Sequence, residues 1–573
     1  MSQKESLPRK RSRLHMLGRT ALWVLLVAIC IVLVRQVWFE LYQIPTGSMR
    51  PTFREQDHVL VSKTAFGINW PFRTKQLYFD SSLVHRGDVV VWSGEGIDLP
   101  ETSTRRIGPL HFPHRYIKRV MAKGGDTLYF YGGKLYGMDA NGKDISPELQ
   151  RPFIEKNLEY LPFSHFEGRL DAEPMEGSAV VDQIYLKHMG QRIARLKLGR
   201  FGQIHGSIFD GQAWVTDEFA IAAQPHDSIR TFTDFWGMGN FAMARLLTKE
   251  QVLDLTGIHP DSVGDAIVYL ELRHHPNLVS PPPQFHNRSN GQMRLVLTPQ
   301  ISLIPLAPEH LKRLMKTMNT SRFVVQDGRA APYSKAGSQL SASSPLFNKI
   351  PDGTYEIIDG IAYSVDWGGR LTRLPEYHPL YRTTPTHIQR LFNLGIEVDN
   401  DYAPRRRDQT QFPARYAYFR HGDLYLMGQL FLSKDAPTLQ NFTQRERNKA
   451  RQAPATQPYP AFIDYGPPLD SDGSLDKRRL HTFGLKVPQN HYLMLGDNHA
   501  RSADSRTFGF VPQANLRGQP HLLLWPTGSR WGLLTTPSEK SVSTPTLLLL
   551  ILGLSSLLIS ITQKRYKIFN KNN

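Results

Sequence analysis

Three short stretches carry the residues whose types could make and break acyl bonds. Ser48 lies in Ile44-Pro45-Thr46-Gly47-Ser48-Met49-Arg50-Pro51-Thr52 and Lys118 in Tyr116-Ile117-Lys118-Arg119-Val120. A third cluster runs from Gly496-Asp497-Asn498 to Asp504-Ser505-Arg506. A serine hydroxyl is a poor nucleophile until a base takes its proton, and a lysine kept neutral can be that base. An ordinary lysine, with a pKa near 10.4, is neutral in only about one molecule in 2,500 at pH 7. It must therefore be desolvated to serve. Strand alternation predicts Tyr116, Lys118 and Val120 on one face and Ile117, Arg119 and Met121 on the other, which lets the first face desolvate the lysine. Ser48 lies between Pro45 and Pro51 in a segment not expected to be helical, and Gly47 leaves room for a substrate backbone. Thr46 can offer its hydroxyl, together with the Ser48 N–H, to a developing oxyanion. Asp497 and Asn498 read as turn formers.

The elements that must position these groups follow from the rest of the chain. With 573 residues there is room for more than one domain or one heavily decorated domain. The formal net charge is +18, and much of the basic excess is terminal, at Lys4 to Arg19 and Lys564 to Lys571. No nucleic-acid motif accompanies it, so no nucleic-acid partner is expected. Cys30 is the single cysteine, which excludes an intramolecular disulfide. The histidines and acids show no HExxH pattern, so neither a metal nor another cofactor is implied.

Ala21 to Val34 is continuously apolar and continues through Val37 to Phe39 past Arg35. It is short against the roughly 20 residues a span needs, yet no small-x-small cleavage site follows. It reads as an uncleaved anchor over 20–39, after a basic cytoplasmic stretch at 1–19. A second apolar run predicts another transmembrane helix at 546–562, before a basic cytoplasmic tail at 563–573.

Between the anchors the patterns are mostly β. Asp57 to Lys63 and Asp88 to Trp92 read as strands. Hairpins are expected at Thr127 to Ile145, Tyr355 to Leu374 and Tyr416 to Leu432, with glycine-bearing turns. Thr248 should cap a helix over Lys249 to Leu255, and Pro308 to Met318 carries Leu311, Leu314 and Met315 on one face. Linkers are expected at Ser280 to Pro283, Ala336 to Ser344 and Thr443 to Pro468, with Arg445 to Arg451 a solvated loop.

Together the clusters resemble bacterial type I signal peptidases, the leader peptidases of the Ser-Lys dyad family S26. Ile44 to Thr52 is similar to the nucleophile box, Arg86 to Val91 to the strand that follows, Tyr116 to Asp126 to the lysine box and Gly496 to Val511 to the C-terminal box. The resemblance implies a mainly β fold: an antiparallel catalytic domain at 40–145 and 486–535, split by a large insertion at 146–485. It implies Ser48 as nucleophile, Lys118 as general base and Thr46 in the oxyanion hole. Ser502 would orient the lysine, and Asp504 and Arg506 would brace the site. His499, Ala500 and Arg501 depart from the family pattern. Ile44, Met49, Phe53 and Tyr116 would line shallow pockets for small side chains.

Further implications are signal peptides of exported preproteins as substrate, contact with membrane lipid, proximity to the Sec translocon, and a catalytic domain on the extracytoplasmic side of the bacterial inner membrane. His111, His114 and His499 raise a Ser-His variant, against which Lys118 stands at the base position. Another Ser-Lys maturation protease, or a catalytically silent anchored protein binding through the insertion, are the alternatives.

Overall fold

The computed structural model describes residues 35–97, 105–107, 110–151, 159–162, 168–174, 181–188, 191–198, 204–209, 214–215, 235–277, 284–287, 293–296, 298–333, 344–394, 415–454, 459–499, 502–528 and 530–534, with scattered single positions besides. The expected spans at 20–39 and 546–562 lie almost entirely outside the described residues, as does the linker at Ser280 to Pro283. Among the described residues no helix is long and apolar enough to cross a membrane.

The fold is mainly β and its sheets are antiparallel. It divides into two compact units. In the first, Phe39–Gln43 pairs with His58–Ser62, which pairs with Leu516–Trp525. That last strand also carries Val89–Ser93 and Gly532–Leu533 as partners. Alternation in His58–Ser62 buries Val59 and Val61. Val89–Ser93 is buried on both faces beyond its first residue, as an interior strand rich in Val and Trp should be.

The second unit holds residues 44–57 and 118–512. Strand Arg115–Lys123 runs into it and pairs there with His491–Leu495, setting Leu495 opposite Arg119. The hairpin Thr127–Tyr131 and Lys134–Met138 follows, with Leu485–Lys486 added at one edge. Residues 146–485 share this unit with the Ser48 loop and Lys118. They supply a six-stranded sheet from Phe241–Thr248, Val268–Asn277, Thr298–Leu306, Arg415–Arg420, Asp423–Leu426 and Gln429–Leu432. A five-stranded sheet is built around Phe323–Gln326 and Gly353–Ile358. One apolar core joins them through Leu246, Leu270, Ile304, Phe323, Ile357 and Phe392.

The expected hairpins form where the turns demand positive φ. Asp359 and Gly360 take φ of 49° and 74°, and His421 and Gly422 take 53° and 86°. Thr248 caps Lys249–Thr256 in a capping box closed by Gly257, and Pro308–Lys316 is helical. Arg445 to Arg451, expected as a solvated loop within a linker, instead belongs to the helix Pro437–Gln452. Pro437 starts that helix, and Leu439, Phe442 and Glu446 form its buried face. A buried carboxylate takes a place in that face where apolar periodicity would show a hydrophobic residue. Glu446 accepts hydrogen bonds from Ser302 Oγ (2.8 Å), Tyr459 OH (2.7 Å) and Phe462 N (3.1 Å).

Candidate active site

The Ser48 segment leaves its flanking strands as a loop closed at the base by Ile44 N–H to Asp57 O and Gln56 N–H to Ile44 O, each 2.8 Å. Within it Gly47–Met49 makes a single 3-10 turn, where no helical structure was expected. Thr46 before the turn and Arg50 after it are extended. One turn is therefore all that fits between the prolines. Gly47 also packs closely against the loop's own side chains. A β-carbon there would come within 2.6 Å of Glu55 Oε1 and 3.2 Å of the Arg50 side chain.

Ser48 is 8% exposed and Lys118 4%. Lys118 Nζ donates to Ser48 Oγ at 2.7 Å, across 70 positions of sequence. Thr46 Oγ1 also reaches Ser48 Oγ, at 3.4 Å. The strand around Lys118 is buried on both faces from Lys118 to Ala122, because Arg119 on the opposite face is neutralised. Its guanidinium grips Asp497 with two parallel bonds, Nε to Oδ1 at 2.7 Å and Nη2 to Oδ2 at 2.6 Å. Thr52 of the Ser48 loop donates to the same carboxylate and accepts from Arg119 Nη2 at 3.2 Å. Asn498 completes the join: its N–H donates to Ser48 O (3.1 Å) and its Nδ2 to Gly47 O (3.2 Å).

Asp497 and Asn498, read from sequence as turn formers, thus tie the C-terminal cluster to both other clusters. Their signal was present in the Gly496-Asp497-Asn498 run, but Arg119, the partner that gives Asp497 its work, lies 378 positions away.

Asp504 and Arg506 pair through Nε–Oδ1 (2.9 Å) and Nη2–Oδ2 (2.7 Å), and Gly496 N–H adds a bond to Asp504 Oδ2 at 3.0 Å. Burial raises the Asp504 carboxyl, but Arg506 outweighs it and the pKa falls below the ordinary range. Arg506 continues to His499 O at 2.6 Å, while His499 Nδ1 accepts from Leu161 N–H at 2.7 Å. Burial, and then the charge of Arg506, push His499 far below its ordinary pKa, so the ring is neutral. The bond to Arg506 comes from the His499 backbone carbonyl, which any residue there supplies, while the departing side chain serves Leu161.

Ser502 Oγ is buried and, among the described residues, makes no hydrogen bond, so the expected orienting bond to Lys118 is not formed. It lies beside Ser48 nonetheless, because a β-carbon at Gly496 would overlap both Ser502 Oγ and the Ser48 carbonyl oxygen. Of the expected pocket residues, Met49 and Phe53 are fully buried and Ile44 nearly so. Tyr116 lies in the first unit, stacked on Trp92 with centroids 4.7 Å apart. Among the histidines, His499 is committed to Leu161 and His114 packs on Tyr116; the His111 side chain lies outside the described residues. Among the described residues no group of histidine, cysteine or carboxylates could hold a metal.

The chain matches the family described as signal peptidase, peptidase S26, over residues 17–193 and 419–525. Curated relatives agree. A probable signal peptidase I-2 of Synechocystis is 46% identical over 56 residues, 10% of this chain and 25% of the relative. Signal peptidase I of Buchnera aphidicola subsp. Schizaphis graminum is 28% identical over 176 residues, 29% of this chain and 48% of its own. Signal peptidase I of Pseudomonas aeruginosa is 33% identical over 125 residues, 22% and 37% respectively. The chain thus spans about half the length, or less, of these relatives. The match takes in 146–193 and 419–485, parts of what was expected to be insertion, and leaves 194–418 outside. All three chemical clusters fall inside the matched segments, which supports assigning the chain to the signal peptidase S26 family.

Proposed function

We propose that this chain is a membrane-anchored serine endopeptidase that removes N-terminal signal peptides from exported preproteins. The observation that carries the reading is the 2.7 Å separation of Lys118 Nζ and Ser48 Oγ with both side chains buried. Desolvation at that depth favours the neutral amine that a base must be. Neutral Lys118 takes the Ser48 proton as Oγ attacks the scissile carbonyl carbon. The oxyanion is held by the Ser48 N–H and the Thr46 hydroxyl. Lys118 returns its proton to the leaving amine, then takes one from the water that hydrolyses the acyl-enzyme. Asp504 and Arg506 hold the geometry, with Ser502 packed beside Ser48. Ile44, Met49 and Phe53, apolar residues on the same loop as Ser48, suit small side chains before the cleaved bond.

Membrane attachment is supported by the described positions of the first apolar segment, Thr20 to Leu22, Val24, Leu25, Val32 and Arg35 to Val37, which are all helical. Leu22, Val24, Leu25 and Val32 are exposed there, and the first unit exposes Phe39, Leu41, Trp531 and Leu533. The anchor, with a second span at 546–562, puts both termini in the cytoplasm and Ser48 just outside the inner membrane, where a translocated signal peptide emerges.

The test is cleavage of a model preprotein by the full chain and by Ser48→Ala and Lys118→Ala. The expected result is processing by the first and none by the variants, with the rate rising into the alkaline range as Lys118 deprotonates. Equal processing by wild type and either variant overturns the dyad.

A further inference from the structure

The segment outside the family match sends two side chains, Arg322 and Glu356, to the loop that carries Ser48. Arg50, two residues after the nucleophile, bonds Glu55 Oε2 through both Nε (2.8 Å) and Nη2 (2.5 Å), and this pair presses against Gly47. Its Nη2 also bonds Glu356 Oε2 at 2.7 Å. Arg322 Nε reaches the same oxygen at 3.1 Å, and Arg54 Nη1 reaches Glu356 Oε1 at 3.4 Å. From the other side Arg322 Nη1 donates to Glu55 O and to Gln56 Oε1, each at 3.1 Å, and Gln56 Nε2 donates to Tyr333 OH at 3.0 Å.

The side chains of Glu356 and Arg322 are 0% exposed, Glu55 1% and Arg50 11%. Three guanidiniums surround one carboxylate, and burial, which alone would raise the Glu356 pKa, loses to Arg50 first among them, leaving it at about 2. A buried network of this kind has one geometry, since any member that leaves strands a charge.

We propose that Glu356 and Arg322 are positioning residues for the nucleophile: they fix the Arg50–Glu55 pair, and through it the 3-10 turn that aims Ser48 at Lys118. The inference rests on the function proposed above. It gives the unmatched segment a part in catalysis although neither residue touches substrate. Misplacement of an attacking atom by about 1 Å can cost roughly a hundredfold in rate, whereas substrate affinity need not change.

The experiment uses the full chain in detergent with a model preprotein, rates being normalised to folded enzyme by near-UV circular dichroism. Glu356→Gln and Arg322→Gln should each lower kcat by roughly ten- to a hundredfold with KM within about twofold. The double variant Glu356→Gln/Arg50→Gln should lose little more than either single one, since all act through one network. Glu356→Asp, which keeps the charge, should restore part of the rate, and it stands in for Glu356→Gln should that variant not fold. Glu271→Gln breaks another buried ion pair, with Arg245, on the six-stranded sheet and should leave kcat of the folded enzyme unchanged. Wild-type kcat in folded Glu356 variants overturns the inference, as do multiplying losses in the double variant or an equal kcat loss in Glu271→Gln. If wild type itself cleaves nothing, the proposed function falls instead.

Discussion

Ser48 and Lys118 were legible because each sits in a short run of distinctive neighbours, and the structure brings them within hydrogen-bond distance. Thr46 was legible from its place two residues before the nucleophile, and its hydroxyl does reach Ser48 Oγ. What could not be read locally was the fabric between clusters. Asp497 joins Arg119 and Thr52, and Glu356 joins Arg50, across hundreds of positions. Acid–base pairs leave no periodic trace, so a single sequence shows only their halves. Ser502 was legible as a member of the cluster, whereas its orienting bond was not found. Thr46→Val keeps the side-chain shape and removes the donor. It should lower kcat about 10²–10³-fold while changing KM little, which is the signature of a bond made to the oxyanion alone. Steady-state kinetics on a preprotein peptide checks this, and an unchanged kcat removes Thr46 from the oxyanion hole.

Elements were readable where local chemistry dictates them. The Asp359-Gly360 turn and the Thr248 capping box are local devices, and both form where the residues call for them. The helix Pro437–Gln452 escaped because only Leu439 and Phe442 mark its buried face before Glu446 interrupts the stripe, while basic residues crowd the outside. The two readings of this segment differ sharply in energy. A solvated linker would tolerate Glu446→Ala within about 0.5 kcal/mol, as surface substitutions do. Glu446 is instead 1% exposed and accepts from Ser302, Tyr459 and the Phe462 N–H, so removing it should cost about 1–3 kcal/mol. Denaturant unfolding of the full chain in detergent, followed by far-UV circular dichroism, separates these outcomes.

At the scale of the molecule, burial sets titrating groups against one another, and their signs give stability a particular pH profile. Burial pushes the Glu159 carboxyl up from 4.5 to about 7, against the opposing influence of Tyr418 and Arg420. Its folded form holds a proton that the unfolded chain has released, so its contribution is complete below pH 4.5 and lost as pH rises through 7. His274, bonded to Ser302 and His275 in the core, is pushed down by burial from 6.5 to about 3. The unfolded chain protonates first, so this contribution is complete above pH 6.5 and lost as pH falls towards 3. Glu356, held at about 2 by its arginines, contributes fully above pH 4.5 and is lost below it. From pH 6.5 to 4.5 the first two effects oppose each other and stability should change little. Below 4.5 Glu159 no longer offsets His274 and Glu356, and stability should fall. Glu159→Gln isolates one branch, because glutamine resembles the protonated acid at every pH. The variant should melt higher than wild type at pH 8 and alongside it at pH 4. A melting-temperature difference that stays constant between those pH values would show that the Glu159 carboxyl does not titrate differently on folding.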